Sequence, residues 1–521
     1  MNTETIKSIV NKNVRLRNKL FASGFYFTDA KVDKEDYPFY NLWNKEEIKN
    51  YKLLVHPNQH YFISEDKSLI LIGHAYNPFA MESDEKIILE QLCKKTFGTD
   101  DFWNSLNELT GIFTLIHLSD GEVDLIGDPT CIQTAFYAFF DGHCFISSHT
   151  CLLGDLLDLN WDSYSECLVH YKFFPLLGNS FPGDLTQYSK VKRLVPNHYI
   201  SFKDGKIHHK RFYYPHKLDI SNEEIVRQVS EILKNNMLLI PEKWNRPAIS
   251  MTGGCDSKTT LSCAIENYDK YSYFSYISSD SEKVDADAAH IICNALGLKH
   301  TVYEIPNDDS AFGDTEDVRA ILYWNAGGII PTNNNDVRKR IFFADIDDFD
   351  IEVKSWVSEI GRSYYSKRFN ERKNFGKIPT ARACTTMYKF FFHNRKLVAK
   401  TDCVFEKYLN EFFELHPTNP VEWQDQFFWE FRVPSWNGLV ITGEHRYSFD
   451  ITIPYNNRIL LNHLLSASIE DRINDTIYKQ IREKMNPIID STGIAVTNLK
   501  HTKNREKVEN IYYSIHSKIP F

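Results

Sequence analysis

Ile249-Ser250-Met251-Thr252-Gly253-Gly254-Cys255-Asp256-Ser257-Lys258-Thr259-Thr260 decides how this chain is read. The apolar residues 247–249 end a buried strand, two glycines and small hydroxyl residues make a tight turn, and Leu261, Ala264 and Ile265 recur at helical spacing. Strand, glycine turn and helix start together form a grip for phosphate, because first-turn N–H groups and the positive end of the helix dipole face an anion. The glycines allow close backbone approach, the hydroxyls of Thr252 and Ser257 are expected to add donors, and Asp256 suits a magnesium ion on phosphate oxygens. A spaced second glycine followed by Lys-Ser/Thr is absent, so this is not a Walker-type loop.

Working outward, residues 1–215 form strands and hairpins. Residues 68–75 predict a buried strand interrupted by Gly73. Three hairpins follow with turn signals at Asp120-Gly121, Asp141-Gly142 and Asp204-Gly205. Residues 85–95 place Ile87, Ile88, Leu89 and Leu92 on an amphipathic helix. The pattern changes near Ser221. A long helix over 225–239 leads to the strand at Ile249, then come a helix, a strand over 271–277, a helix over 286–296 and a strand over 300–305. That alternation predicts a doubly wound parallel sheet with ligands at the carboxyl ends of its strands, followed by a mostly helical part beyond Ala383. The expected division is 1–215 and 216–521.

The chain has 521 residues, too many for one ordinary domain, and 42% of them are hydrophobic, enough for substantial cores. A formal charge of -9 argues against broad electrostatic binding of nucleic acid, although Arg338-Lys339-Arg340 and the basic run 500–507 can meet phosphates locally. No signal-like start and no apolar run of about 18 residues are present, which predicts a cytoplasmic protein without a membrane partner. Ten cysteines lack any Cys-x-x-Cys pair, so neither a zinc knot nor a disulfide framework is indicated, and Cys255 is expected to be structural.

The loop resembles the Ser-Gly-Gly-x-Asp-Ser loop of the N-type ATP pyrophosphatases, with Thr252 for the first serine and Cys255 for an aliphatic residue. Over nearly its whole length the chain is similar to the asparagine synthetase superfamily. Leu109-Thr110-Gly111-Ile112-Phe113, Gly127-Asp128-Pro129, Phe136-Tyr137, Phe145-Ile146-Ser147-Ser148 and Val195-Pro196-Asn197-His198 resemble segments of a class II glutamine amidotransferase domain. The resemblance implies an α+β antiparallel sandwich of the Ntn-hydrolase type, then an α/β doubly wound parallel-sheet domain with a helical C-terminal part.

In glutamine-using members a cysteine follows the initiator Met and serves as nucleophile, with its own amine as base. Here Asn2 stands there and no cysteine precedes Cys93, so glutamine hydrolysis is expected to be lost. This places the chain beside the β-lactam synthetase and lasso-peptide cyclase branches, which adenylate a carboxylate and let an amine attack it. The implied cofactors are ATP and Mg2+. The expected partners are a small-molecule or peptide carboxylate and an amine, with a homodimer compatible and no nucleic acid.

The resemblance also distributes roles. Thr252, Gly253, Gly254, Asp256, Ser257, Ile277 and Ser358 would bind ATP or pyrophosphate, the strand ending at Ile277 facing the adenine. Asp256 and Asp285 would hold the metal, though Asp285 equally suits a solvated carboxylate at a helix start. Ser355-Trp356-Val357-Ser358-Glu359-Ile360-Gly361-Arg362-Ser363-Tyr364-Tyr365 resembles the Ser-Gly-Glu-Gly-x-Asp-Glu segment, making Glu359 the base for the amine, while Arg362 replaces a magnesium-binding aspartate. A guanidinium clamps phosphate or carboxylate instead. Alternatively Glu359 and Arg362 merely pair on a helix at i, i+3. Ser448 to Tyr455 with Arg458 resembles the Glu-x-Arg-x-Pro-Phe segment. Lys500, with Lys503 nearly equivalent, would steady charge on the α-phosphate; a solvated charge run is the other reading.

Three functions compete: an amide-forming ligase that joins an acid to an amine, amidation by free or partner-supplied ammonia, and a non-catalytic nucleotide-binding or regulatory protein with an eroded site.

Overall fold

The structure is a computed structural model describing residues 2–31, 42–175, 178–330, 332–369, 376–388, 394–494 and 503–518. It is a mixed α/β protein with two antiparallel sheets and one parallel five-stranded sheet.

The antiparallel sheets both lie within residues 25–211. One runs, in spatial order, Lys192–Arg193, Phe136–Phe140, His143–Ser147, Phe25–Thr28, Tyr51–Val55, Asn44–Ile48. The other runs Lys206–Arg211, His198–Lys203, Glu122–Gly127, Thr110–Ser119, Leu69–Tyr76, Tyr61–Ile63. Alternation along the strands explains the layering. Ile70 and Ile72 face Phe25, Phe27, Leu53 and Val55 in a core between the sheets. Leu69 and Leu71 point the other way, onto Ile88, Leu89 and Leu92 of helix Glu85–Cys93. Strand Leu69–Tyr76 is therefore buried along its whole length. Gly73 is obligatory within it: its φ is +120°, and an added Cβ would lie 2.1 Å from the Ile112 carbonyl oxygen.

Asn2 is not at a strand start. It caps helix Thr3–Lys12, its side chain accepting from the Thr5 N–H, and the first strand begins only at Phe25.

The parallel sheet uses Pro247–Ser250, Ser272–Ile277, His300–Glu304, Ile351–Val353 and Asp450–Thr452, in chain order first to fifth. Their spatial order is third, second, first, fourth, fifth, and every pairing is parallel. The winding reverses between first and fourth strands, which opens a crevice at their carboxyl ends. The two halves share one continuous core: Tyr26, Phe136 and Phe145 pack in the same cluster as Ile249, Val353 and Tyr455. Residues 456–458 pin them together. Asn456 donates to the Gly111 carbonyl at 2.7 Å and to Asp128 at 2.9 Å, and fully buried Arg458 donates to the Gly127 carbonyl at 3.0 Å. The aromatic run Phe427 to Phe431 is core; part of the run 388–392 lies outside the described residues.

No helix among the described residues is long and apolar enough to cross a membrane.

Candidate functional site

A cavity of about 510 Å3 lies at the carboxyl ends of the first and fourth strands. Its floor is Ser250, Met251, Thr252, Gly254, Asp256 and Ser257. Helix Cys255–Cys263 starts there with Gly254 as its cap, and Gly254 offers no side-chain acceptor to the first-turn N–H groups. The hydroxyls behave differently from the expectation. Thr252 Oγ1 lies 2.9 Å from Ser257 Oγ and accepts the Gly254 N–H at 3.1 Å, while Ser257 Oγ donates to the Thr252 carbonyl at 2.9 Å. The hydroxyl protons are thus used inside the loop, bracing its shape, and an anion would be met by backbone N–H groups. Burial raises the Cys255 thiol, and Arg482 donates to its sulfur at 3.3 Å.

The fourth strand continues into Lys354, Ser355 and Trp356 and then the tight turn Ser358–Arg362. Two residues at left-handed φ bracket that turn, Val357 at 64° and Ser363 at 47°. A buried β-branched residue in that region is strained, and such strain persists only where surrounding packing enforces it. Gly361 is part of the enforcement, since a Cβ there would lie 2.6 Å from Leu464 Cβ. The turn delivers Glu359 into the cavity wall. Burial, and then the charge of Asp256, push the Glu359 carboxyl up to about 7. Among the described residues Glu359 has no ion-pair partner, so the i, i+3 surface pair with Arg362 does not form.

Arg362 instead turns behind the loop. Its Nη1 donates to Asp256 Oδ2 at 2.7 Å, and its Nε and Nη2 clamp Asp475 at 2.8 and 2.9 Å. Lys367 joins Asp475 at 2.6 Å. Arg362 is not part of the cavity wall. Asp256 Oδ1 remains buried with no hydrogen-bond partner. Asp285 lies in the same wall, raised by burial and held back by a hydrogen bond from the Gly253 N–H. Asp256 Oδ1 together with the Asp285 carboxylate fits magnesium that keeps water and phosphate as its other ligands. A closed protein cage is not formed: no group of three or more candidate ligands occurs among the described residues.

Other expected positions fall elsewhere. The Ile277 carbonyl accepts the Ile305 N–H at 2.9 Å, and Phe274, Ser275 and Tyr276 of the same strand line the cavity. Ser358 is fully buried, its carbonyl held by the Tyr478 hydroxyl at 2.7 Å and its own hydroxyl unpartnered. Lys500 lies outside the described residues, as does the side chain of Lys503.

Sequence reasoning missed much of the far wall: Glu282, Asp336, Lys339, Arg340, Glu444, His445 and Trp436. The run Arg338-Lys339-Arg340 was visible as charge, but its burial was not. Trp436 arrives through an 11-residue π-helix, Phe428–Gly438, with Pro434 inside it. Wide helices of this kind are rare and concentrate at functional sites, and no periodicity in the sequence announces one.

No protein-family model matches the chain, and no curated protein does. Among solved structures, the allosteric regulatory enzyme of purine biosynthesis aligns at 13% identity and TM-score 0.24, covering 51% of this chain and 62% of that one. The glutamine phosphoribosylpyrophosphate amidotransferase from B. subtilis, complexed with ADP and GMP, aligns at 12% identity and TM-score 0.23, covering 68% and 73%. This chain thus spans less than two thirds of the first neighbour. Likenesses of this size assign neither fold family nor activity.

Proposed function

We propose that this protein is an ATP-dependent carbon–nitrogen ligase that adenylates a carboxylate and passes the acyl group to an amine, its N-terminal half being an amidotransferase-like (Ntn-type) scaffold. The observation carrying the reading is one cavity at the reversal point of a parallel sheet, holding both a braced phosphate-type loop and an unpaired glutamate raised to about 7.

In this scheme the N–H groups at Cys255, Asp256 and Ser257 receive the pyrophosphate of ATP. A carboxylate oxygen attacks the α-phosphorus, the bond to the bridging oxygen breaks, and acyl-adenylate and pyrophosphate result. The amine then attacks the acyl carbon, Glu359 takes its proton, and AMP departs. A base whose pKa lies near the working pH suits that transfer. Asp256 through Oδ1, with Asp285, would hold magnesium, which supplies charge neutralisation on the phosphates. Holding both reactants in one cleft supplies up to about 7–11 kcal/mol in well-aligned cases.

Purified full-length protein with ATP, magnesium and candidate acid and amine pairs is expected to release AMP and pyrophosphate. Release of ADP and phosphate would overturn the scheme. Isotopic labelling of the product nitrogen separates amine ligation from amidation by ammonia. The Arg362–Asp256 pair is the observation that favours the non-catalytic alternative; nucleotide binding with no turnover on any acid would support it.

A further inference from the structure

Two tryptophans, Trp356 and Trp436, line the cavity, and the backbone departs from its regular form beside each of them. Trp356 lies just beyond strand Ile351–Val353 and is followed by Val357, buried and at a φ of 64°. Trp436 is carried by the π-helix Phe428–Gly438. Strained residues and π-helical turns both cost stability, and both concentrate where a side chain is delivered to a site.

The two indoles lie within 21° of parallel, with centroids 6.4 Å apart. Carbon atoms in full face contact approach to about 3.5 Å, so at this separation each ring leaves most of the other's face uncovered. His445 meets Trp356 edge-on at 5.4 Å and holds its plane. Tryptophans that serve the core have their N–H satisfied: Trp429 donates to the Pro129 carbonyl at 2.7 Å and Trp324 to Asp155 at 3.0 Å. The indole N–H groups of Trp356 and Trp436 meet no acceptor among the described residues, and neither side chain is fully buried.

Sheet order separates this aromatic surface from the nucleotide. The phosphate-type loop follows the first strand, which the second and fourth strands flank. Phe274, Ser275 and Tyr276 of the second strand line the cavity on one side of the loop; Trp356 and Glu359 follow the fourth strand on the other. A base lying toward the second strand leaves the tryptophans to the reactants that meet at Glu359. Of those, the acid fits better. Lys354 Nζ stands 5.0 Å from the Trp356 ring centre and the Arg432 guanidinium 4.6 Å from that of Trp436. Positive charge on both rings disfavours a protonated amine and favours an electron-rich π face. We propose that Trp356 and Trp436 hold a planar aromatic ring of the acid substrate against their faces. This rests on the ligase reading and narrows its substrate to carboxylic acids that carry an aromatic ring.

The test uses the full chain as wild type, W356L, W356F and W436L. The probes are 2-naphthoate, its saturated counterpart decahydro-2-naphthoate, and a non-hydrolysable ATP analogue with magnesium, each titrated by calorimetry. Wild type is expected to bind 2-naphthoate about tenfold or more tightly than the saturated acid, since both carry one charge and only the first can stack. W356L and W436L should each weaken 2-naphthoate about tenfold, and W356F less, because a ring remains. Nucleotide affinity should stay within about twofold in all three, because its grip lies on the loop. Equal binding of the planar and saturated acids by wild type, or binding of neither, would overturn the proposal without any variant having to fold. Unchanged 2-naphthoate affinity in both leucine variants would make the tryptophans packing residues and overturn it too. Parallel loss of nucleotide and naphthoate in variants that still melt cooperatively would assign the rings to adenine, again overturning it. A wild type that binds 2-naphthoate through the tryptophans but not the nucleotide would sink the ligase reading and leave the ring site standing.

Discussion

Glu359→Gln is the most informative perturbation, because it removes one charge and almost no volume. Glu359 rises from an ordinary 4.5 to about 7, chiefly through burial and secondly through the Asp256 carboxylate. Between those two pH values the folded protein holds a proton that the unfolded chain has released. Stability therefore falls as pH rises through this window and is level above it. The rise corresponds to about 3 kcal/mol. Unfolding entropy of about 2.1 cal/mol/K per residue gives about 1 kcal/mol/K for a chain this long, so the effect on Tm is about 3 °C. Glutamine does not titrate. E359Q is therefore expected to melt about 3 °C above wild type at pH 8, the gap closing towards pH 4.5. In D256N the same E359Q gap should shrink, since the second cause has been removed. Turnover of wild type should rise through an apparent pKa near 7 as the carboxyl ionises, and E359Q should lack turnover at every pH. A Tm difference that stays constant from pH 5 to pH 8 would refute the reasoning, for the carboxyl would then be an ordinary one.

Gly361→Ala forces a Cβ against Leu464 and should cost about 1–3 kcal/mol by denaturation, lowering kcat more than nucleotide affinity because Glu359 is two residues away. Arg458→Met removes the guanidinium donor from the Gly127 carbonyl and the Asn197 side chain and should cost about 3 kcal/mol, seen as a lower Tm with no specific loss of nucleotide binding. Glu430→Gln weakens a pair with Arg211 whose two bonds measure 2.7 and 2.9 Å, both side chains being buried; a destabilisation of about 2–3 kcal/mol is expected in urea titrations.

The legible part of this fold is the part whose patterns are local. The hairpin predicted with its turn at Asp120-Gly121 forms as Thr110–Ser119 and Glu122–Gly127, because alternation and turn residues lie within one short stretch. Helix Asn222–Lys243 extends beyond the expected 225–239, its start set by the Ser221 cap. Strand Ile351–Val353 and strand Asp450–Thr452 have three residues each, too few to show a period, and are defined by pairing with distant partners. The site divides in the same way. Its loop was visible because glycines and hydroxyls adjoin one another in sequence. Asp475, Glu444 and Arg340 converge on it from far apart in the chain, and only folding shows that Arg362 faces Asp475 while Arg340 faces no acid at hydrogen-bonding distance.

The surroundings of Arg362 can be weighed by charge. Arg362 and Lys367 are positive, Asp256 and Asp475 negative, and the four are joined by contacts of 2.6–2.9 Å. That cluster is neutral without any metal. An aspartate in place of Arg362 would make it negative by two charges and attractive to a bare divalent cation. The present arrangement leaves one free oxygen, Asp256 Oδ1, which is too little to strip water from magnesium but enough to receive an ion already held by phosphates. Magnesium alone is therefore expected not to raise the Tm of the nucleotide-free protein, whereas magnesium with the ATP analogue should raise it more than the analogue alone. R362D should acquire a response to magnesium alone while losing the Asp475 clamp. If magnesium alone stabilises wild type as much as it stabilises R362D, Arg362 is not serving in place of a cation, and the charge argument fails.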